Sequence, residues 1–208
     1  MTEMPPSCDR AVAELIHQLG RLAYGEGFVA GLTSAQWTAL RYFARANRFS
    51  RTVSAFAGFH ATTRGTASQT VKSLVAQGYL SRIRSTKDGR SARLDVTTKG
   101  HCILSDDPFE ALVRAVGAVP PGVRPKLATS LERMLGYVAR ERGQLPFGAC
   151  PTCRHLVDER PCPQDQPRYE CGLFGEPLAE GELEQMCVNF EPGRISAMRR
   201  VLNEGSPR

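Results

Sequence analysis

The sequence predicts a mainly α-helical chain with a small β component (α+β), in which helices surround one β-hairpin and an irregular cysteine-rich segment follows. Three observations support this prediction. Apolar residues recur at three- and four-residue spacing along much of the first 142 positions, whereas they alternate with polar and basic residues over positions 79–96. Further along, five of the seven cysteines lie between Cys150 and Cys187, where frequent prolines exclude long helices.

Four helices are predicted before the hairpin. An apolar face marks the first helix, and its residues are Val12, Leu15, Ile16, Leu19, Leu22 and Ala23. Thr33 and Ser34 favour the start of a second helix, and residues 53–59 favour a short third one. Thr63 can cap a fourth helix, which buries one face and ends at Gly78.

The hairpin and two further helices complete the regular part of the chain. Residues 79–85 and 90–96 alternate in polarity on either side of a turn that contains Asp88-Gly89. Helical spacing resumes from about Lys99, is interrupted by the VPPG stretch at 119–122, and returns over residues 127–138. Two long helices are therefore expected after the hairpin.

Positive charge is concentrated in the middle of the chain. Between Trp37 and Gly100 there are twelve Lys or Arg residues and two acids, although the whole chain carries a net charge of only +6. From Glu141 to Pro192 ten acids outnumber four arginines. A local basic excess of this kind favours a polyanionic partner such as DNA, because each phosphate contact releases condensed counterions.

The order of elements is that of a winged helix-turn-helix, which reads DNA through a helix and an adjacent hairpin. The outer face of the fourth helix carries side chains that can hydrogen-bond, namely Arg64, Ser68, Gln69 and Lys72. Gln69 could bond bidentately to adenine, and Arg64 could bond to guanine or phosphate. An arginine of the hairpin such as Arg90 would enter the adjacent minor groove.

Residues 32–100 resemble the MarR (multiple antibiotic resistance regulator) family, through LTSAQWTALRYF, TASQTVKSLVAQGYLSR and STKDGRSARLDVTTKG. The resemblance implies a homodimer on a pseudo-palindromic operator, with Asp88 orienting Arg90 at the tip of the hairpin, or wing. Arg84 and Lys87 complete the expected DNA-contacting set. The domain would span 8–142, with DNA binding in 32–100 and dimerisation helices in 8–30 and 101–142. Residues 143–208 would form a cysteine-rich metal-binding extension, which resembles extensions of some family members.

The cysteine-rich segment contains one C-x2-C pair and three separate cysteines. The pair, Cys150 and Cys153, can bind one metal centre from a tight turn, and distant thiolates can complete four-coordination. Cys150, Cys153, Cys171 and Cys187 are the predicted ligands. Cys162 lies in a proline-flanked polar stretch and is a possible substitute for one of them.

Three chemistries remain open for this segment. Four cysteines can hold an iron–sulfur cluster, which nearby apolar residues such as Phe147 and Phe174 would shield from water. They can also hold structural zinc, although zinc ribbons usually supply two C-x2-C pairs. A third possibility is a thiol–disulfide switch between Cys150 and Cys153. An iron–sulfur cluster is the favoured prediction and zinc the alternative.

The sequence predicts a dimeric regulator of transcription, most simply a repressor, and not an enzyme. Walker loops, dinucleotide fingerprints and H-E-x-x-H are missing from the sequence. A small-molecule-responsive repressor with structural zinc and a thiol redox protein are the alternatives. No apolar stretch is long enough for a membrane span and no secretory signal is recognisable, so a cytoplasmic location is expected. Since Cys150 follows the last predicted helix closely, the metal centre is expected to act through the dimer helices.

Overall fold

The computed structural model describes residues 8–23, 30–84, 92–144, 147–158 and 168–193. The helices in these ranges are α1 (Cys8–Leu22), α2 (Ser34–Arg45), α3 (Val53–Phe59), α4 (Arg64–Ala76), α5 (Thr98–Ile103), α6 (Glu110–Gly117) and α7 (Arg124–Glu141). The strands are β1 (Leu80–Arg84), β2 (Ala92–Val96), β3 (Leu156–Asp158), β4 (Tyr169–Cys171) and β5 (Glu176–Leu178). The predicted fold class is confirmed, as are the first four helices and the hairpin.

The predicted helix starts coincide with caps. Thr33 Oγ1 accepts a hydrogen bond from the Gln36 backbone amide at 3.2 Å, and Gln36 Oε1 accepts one from the Thr33 amide at 2.8 Å. This reciprocal pair satisfies amide donors that the first turn of α2 would otherwise leave open. Thr63 Oγ1 caps α4 in a similar way, through the Thr66 amide at 3.1 Å.

The core lies where α2, α3 and α4 pack together against the hairpin. Its largest side chains are almost completely buried: Trp37, Tyr42, Phe43, Phe56, Leu40 and Leu74. Burying one such side chain stabilises the fold by roughly 1.5–3 kcal/mol. The core therefore holds α4 in place from one side and leaves its opposite side open.

Gly100 shows how closely α5 approaches the base of the hairpin. A Cβ atom at this position would lie 2.3 Å from the Tyr79 carbonyl oxygen and 2.7 Å from Val96 Cγ1. Neither neighbour is the free end of a flexible side chain. Glycine is required here by space rather than by backbone conformation.

The first of the two long helices expected after the hairpin is broken, so this part of the prediction is wrong. The chain forms α5, a short 3-10 turn at Leu104–Asp106, and then α6. Asp107 has extended backbone angles (φ −62°, ψ 121°) and precedes Pro108, which disfavours the helical region for the residue before it. Asp107 Oδ1 then accepts a hydrogen bond from the Phe109 amide at 2.8 Å, just before the first residue of α6.

The cysteine-rich segment contains a small antiparallel sheet in the order β3-β4-β5, with Leu156 opposite Cys171 and Tyr169 opposite Leu178. The expected exclusion of long helices is confirmed in its described part, where helical structure is limited to two 3-10 turns. Among the described residues, no helix is long and apolar enough to cross a membrane.

Candidate nucleic-acid interface and cysteine-lined cavity

Helix α4 presents the polar face that the sequence predicts. Ala67, Val71 and Leu74 are buried in the core. Arg64, Gln69 and Lys72 are exposed, whereas Ser68 is half-buried. Because residues four apart share a helix face, Arg64, Ser68 and Lys72 form one row with Gln69 beside it. This face, named here the α4 polar face, offers donors and acceptors of the types that read base edges and phosphates.

Gln36 fixes the orientation of α4 and was not predicted from the sequence. Its side chain is 8% exposed, and its Nε2 donates to Ser73 Oγ on α4 at 2.9 Å. The bond ties the start of α2 to the half-buried edge of α4. The sequence marks Gln36 as a capping-box residue of α2. Its bond to α4 could not be predicted in the same way, because Ser73 lies 37 positions away.

The hairpin stands beside α4 and is fastened at its base. In its register, Arg82 lies opposite Leu94 and Arg84 opposite Ala92. The Arg82 side chain is exposed, and the backbone of Arg84 belongs to β1. The predicted tip residues Lys87, Asp88 and Arg90 lie outside the described residues, as does the side chain of Arg84.

Several basic residues of the middle segment serve the fold rather than a ligand. Arg41 Nη1 lies 2.6 Å from Asp107 Oδ1, and Arg51 Nη1 lies 2.7 Å from Asp95 Oδ1. Arg48 pairs with acids of the cysteine-rich segment, and Lys99 Nζ donates to the Gln77 carbonyl at 2.8 Å. The charge that faces a polyanion is therefore smaller than the composition of Trp37–Gly100 implies.

The four predicted metal ligands line one cavity. Cys150 and Cys187 are each 8% exposed, and Cys153 and Cys171 are half-buried. The cavity has a volume of about 20 Å³, enough for about one water molecule. Its other walls are His155 and a set of apolar and amide side chains, namely Asn47, Phe49, Leu156, Leu173, Phe174, Leu178 and Asn189.

Backbone hydrogen bonds hold the four cysteines around this cavity. The Cys187 amide donates to the Gly148 carbonyl at 2.8 Å, and the Cys150 amide donates to the Leu183 carbonyl at 2.9 Å. The Gly175 amide donates to the Cys171 carbonyl at 2.8 Å, which closes a turn at residues 171–175. Phe190 packs on Gly148, where even a Cβ atom would lie 3.0 Å from its ring. The segment thus brings cysteines from distant positions to one place.

A formed metal site is not found within the described ranges: no three His, Cys, Asp or Glu side chains there are placed to hold one metal ion. The six cysteines that the structure describes are free thiols. Cys162 lies outside the described residues. The four predicted ligands thus line one cavity, whereas the metal site and the identity of its metal both stay predictions.

Ionisation of the Cys150 thiol is suppressed. Burial is the largest cause that raises the pKa of Cys150 to about 11, and the nearby Cys187, Cys153 and Cys171 raise it further. The pKa of Tyr42 is also raised, first by burial and then by Cys187. A thiol with a raised pKa is a poor nucleophile at neutral pH, which argues against Cys150 as an attacking thiol.

Residues 30–91 match a model of the MarR family. A MarR transcriptional regulator from Methanosarcina mazei Go1 is similar in structure, with 23% identity, a TM-score of 0.52, and coverage of 62% of this chain and 97% of that one. The chain has the MarR-type winged-helix fold. No curated protein matches this sequence.

Other solved structures align over a similar length. A protein described as MarR aligns with 21% identity and a TM-score of 0.49, covering 69% of this chain and 97% of its own. A Staphylococcus aureus MepR–DNA complex aligns with 18% identity and a TM-score of 0.48, covering 64% of this chain and 99% of its own. The family model ends at residue 91, so it includes none of the four cysteines that line the cavity.

The sequence predicted that the four cysteines lie together, but it did not predict two other residues that line their cavity. Asn47 and Phe49 belong to the winged-helix part, more than 100 positions before Cys150. Asn47 is 2% exposed, and its Oδ1 accepts a hydrogen bond from the Ser50 amide at 3.0 Å. A buried asparagine in a loop was the available signal, yet nothing local connects it to the cysteines.

Proposed function

We propose that this chain is a DNA-binding regulator of transcription that acts as a homodimer, most simply as a repressor. The observation that carries the proposal is the α4 polar face, which the core holds outward beside a basic hairpin. This arrangement suits insertion of α4 into the major groove, with the hairpin reaching the flanking minor groove. A dimer seated on an operator would occupy DNA that the transcription machinery needs.

Uncovered apolar surface supports the dimer. Apolar side chains on α1, α6 and α7 stay exposed in the single chain, among them Leu15 at 58% and Leu135 at 59%. Helices α1, α6 and α7 contribute no buried residue to the described part of the chain. Large exposed apolar faces usually mark an interface, and a second copy of the same helices would cover them symmetrically.

The proposal includes an iron–sulfur cluster held by Cys150, Cys153, Cys171 and Cys187 that modulates operator affinity. The four thiols line one largely apolar cavity and are the donor type that such a cluster takes. A single zinc ion requires its four sulfurs at about 2.3 Å from one point. In a cluster, the cysteines bind different irons and lie farther apart. The two centres therefore differ in the sulfur spacing that they need, and metal analysis decides between them.

One experiment tests both parts of this proposal. The full chain is purified without oxygen, analysed for iron, sulfide and zinc, and used to select binding sites from random duplex DNA. We expect brown protein that enriches a palindrome. Cys187→Ser should lose the colour, whereas Cys102→Ser, which changes an exposed thiol on α5, should keep it. Colourless wild-type protein with one zinc per chain would contradict the cluster, and failure to enrich any sequence would contradict the regulator.

A second cavity favours an alternative form of control. It measures about 400 Å³ and lies between the end of α1 and the start of α6, with Ala23, Asp107 and Arg114 in its walls. This volume is in the range of small-molecule sites. A repressor that responds to a small molecule, with zinc as a purely structural metal, would show equal operator affinity in its loaded and metal-free forms.

A further inference from the structure

Cys187 is held between two contacts with the winged-helix part of the chain. On one side, the Met186 amide donates to the Arg45 carbonyl at 2.8 Å, and the Met186 carbonyl accepts from the Asn47 amide at 2.9 Å. On the other side, the Val188 amide donates to Ser50 Oγ at 3.1 Å, and Ser50 is fully buried. A displacement of Cys187 therefore moves atoms bonded to residues 45–50.

The same residues support both DNA-reading elements. Residues 46–52 are named here the α2–α3 turn. In this turn, the Arg51 carbonyl accepts from the Leu94 amide of β2 at 2.9 Å, and the Arg51 side chain pairs with Asp95. Thr52 caps α3 through the Ala55 amide at 3.1 Å. Because α3 packs against α4, the turn is connected to the hairpin on one side and to the α4 polar face on the other.

The α2–α3 turn also forms one wall of the cysteine-lined cavity. The Phe49 ring stacks on Phe174 with centroids 4.2 Å apart and planes inclined by 8°. Beside this stack, Arg48 pairs with Glu182 at 3.3 Å and with Glu176 at 3.5 Å. Asn47 and Phe49 line the cavity together with the four cysteines. The contents of the cavity consequently affect how the turn packs.

We infer that the cluster acts on DNA binding within one chain, through Cys187 and the α2–α3 turn, rather than through the dimerisation helices. The inference rests on the proposed function, because it presupposes a metal-dependent operator affinity. This coupling through Cys187 replaces the coupling through the dimerisation helices that the sequence predicted from the closeness of Cys150 to α7. In the loaded protein, the cluster would hold Cys187 and the turn in the arrangement that aligns α4 and the hairpin. Loss of the cluster would release that constraint.

The test compares operator affinity before and after removal of the metal by a chelator without oxygen. The uncoupled variant is Arg48→Gln/Ser50→Ala, which removes the side chains that bond Glu182 and the Val188 amide, changes no residue that lines the cavity, and keeps all four cysteines. Arg168→Gln is the matched control, because it removes an arginine that pairs with Asp158 inside the cysteine-rich segment. In the wild type and in the control, we expect removal to change affinity by about 5- to 150-fold, the usual span of allosteric coupling.

The uncoupled variant should bind the same amount of iron and stay dimeric, yet its affinity should change by less than about twofold, well below that usual span. A change as large as in the wild type would overturn the inference and leave the proposed function intact. No change in the wild type itself would overturn both the inference and the metal-dependent part of the proposed function, and it would leave the DNA-binding regulator intact. Equal iron content and equal dimerisation are measured in parallel, so a failure to fold is recognised.

Amide hydrogen exchange on the wild type gives a second test without substitutions. On metal removal we expect faster exchange at the Asn47 and Val188 amides and through α3, because their bonds lie next to Cys187. Exchange in α7 should change little. Changes confined to α7 would overturn the inference and favour the dimer helices.

Discussion

The ion pair between Arg41 and Asp107 gives a prediction of stability whose size follows from its burial. Arg41 Nη1 lies 2.6 Å from Asp107 Oδ1, and the two side chains are only 15% and 6% exposed. The Arg41 guanidinium also lies over the Phe109 ring at 4.8 Å. The pair fastens the start of α6, which we assign to the dimer interface, to α2 in the winged helix. Removing Arg41 would leave the Asp107 carboxylate buried without this partner.

Breaking a buried pair in this way costs about 3–5 kcal/mol. We therefore expect Arg41→Ala to lower the free energy of unfolding by that amount, or to lower the Tm by roughly 6–20 °C for a chain of this size. Urea unfolding followed by circular dichroism measures the change. Arg154→Ala is the control, because its pair with Glu191 is 64% and 47% exposed and exposed pairs contribute little to stability.

The double variant Arg41→Leu/Asp107→Asn separates loss of the pair from general damage. The amide that replaces the Asp107 carboxylate would still accept the hydrogen bond from the Phe109 amide and would bring no unpaired charge. The double variant should therefore recover much of the lost stability. The reasoning would be refuted if Arg41→Ala destabilised the protein no more than the exposed control does.

Three further predictions concern DNA reading, the hairpin and assembly. Gln69→Ala should lose about 1–3 kcal/mol of discrimination at one base pair of the selected site. Lys72→Ala should weaken binding to all sequences and make the DNA affinity depend less steeply on salt concentration. If both variants lost equal affinity for specific and for random DNA, these roles would be contradicted. Gly100→Ala should destabilise the protein by about 1–3 kcal/mol in thermal unfolding, because its methyl group would overlap the base of the hairpin, and a neutral effect would show that this region can move apart. Replacing Leu131 and Leu135 with glutamate should give monomers in light scattering and abolish tight binding to the palindrome; a wild type that is monomeric at micromolar concentration and still binds tightly would contradict the dimer.

Much of the winged helix could be predicted because its signals are local. The N-caps at Thr33 and Thr63, the apolar face of α4 and the alternation of the hairpin each depend on residues a few positions apart. The break between α5 and α6 is not predicted by periodicity, even though Pro108 marks it. The apolar spacing continues across the proline, so it predicts one helix where the backbone before the proline is extended.

The sequence did not predict which partners the basic residues have or which residues line the cavity, because both depend on contacts between residues far apart in the chain. The charge count over Trp37–Gly100 included Arg48 and Arg41 in a basic surface. In the fold, Arg48 pairs with Glu176 and Glu182, and Arg41 pairs with Asp107. No local pattern distinguishes an arginine that will meet DNA from one that will meet a distant carboxylate. The two environments differ only once the chain has folded.

Local patterns in the sequence predict a helix with one polar face, a basic hairpin, and four cysteines at spacings that permit a shared centre. Periodicity and capping depend on residues a few positions apart, so these features can be predicted before the fold is known. The packing of the cysteine-rich segment on the α2–α3 turn is visible in the folded chain alone. The bond between Ser50 and Val188 joins residues 138 positions apart. Its formation depends on the packing free energy of the whole domain, because closing so long a loop must be offset by all the contacts that form with it.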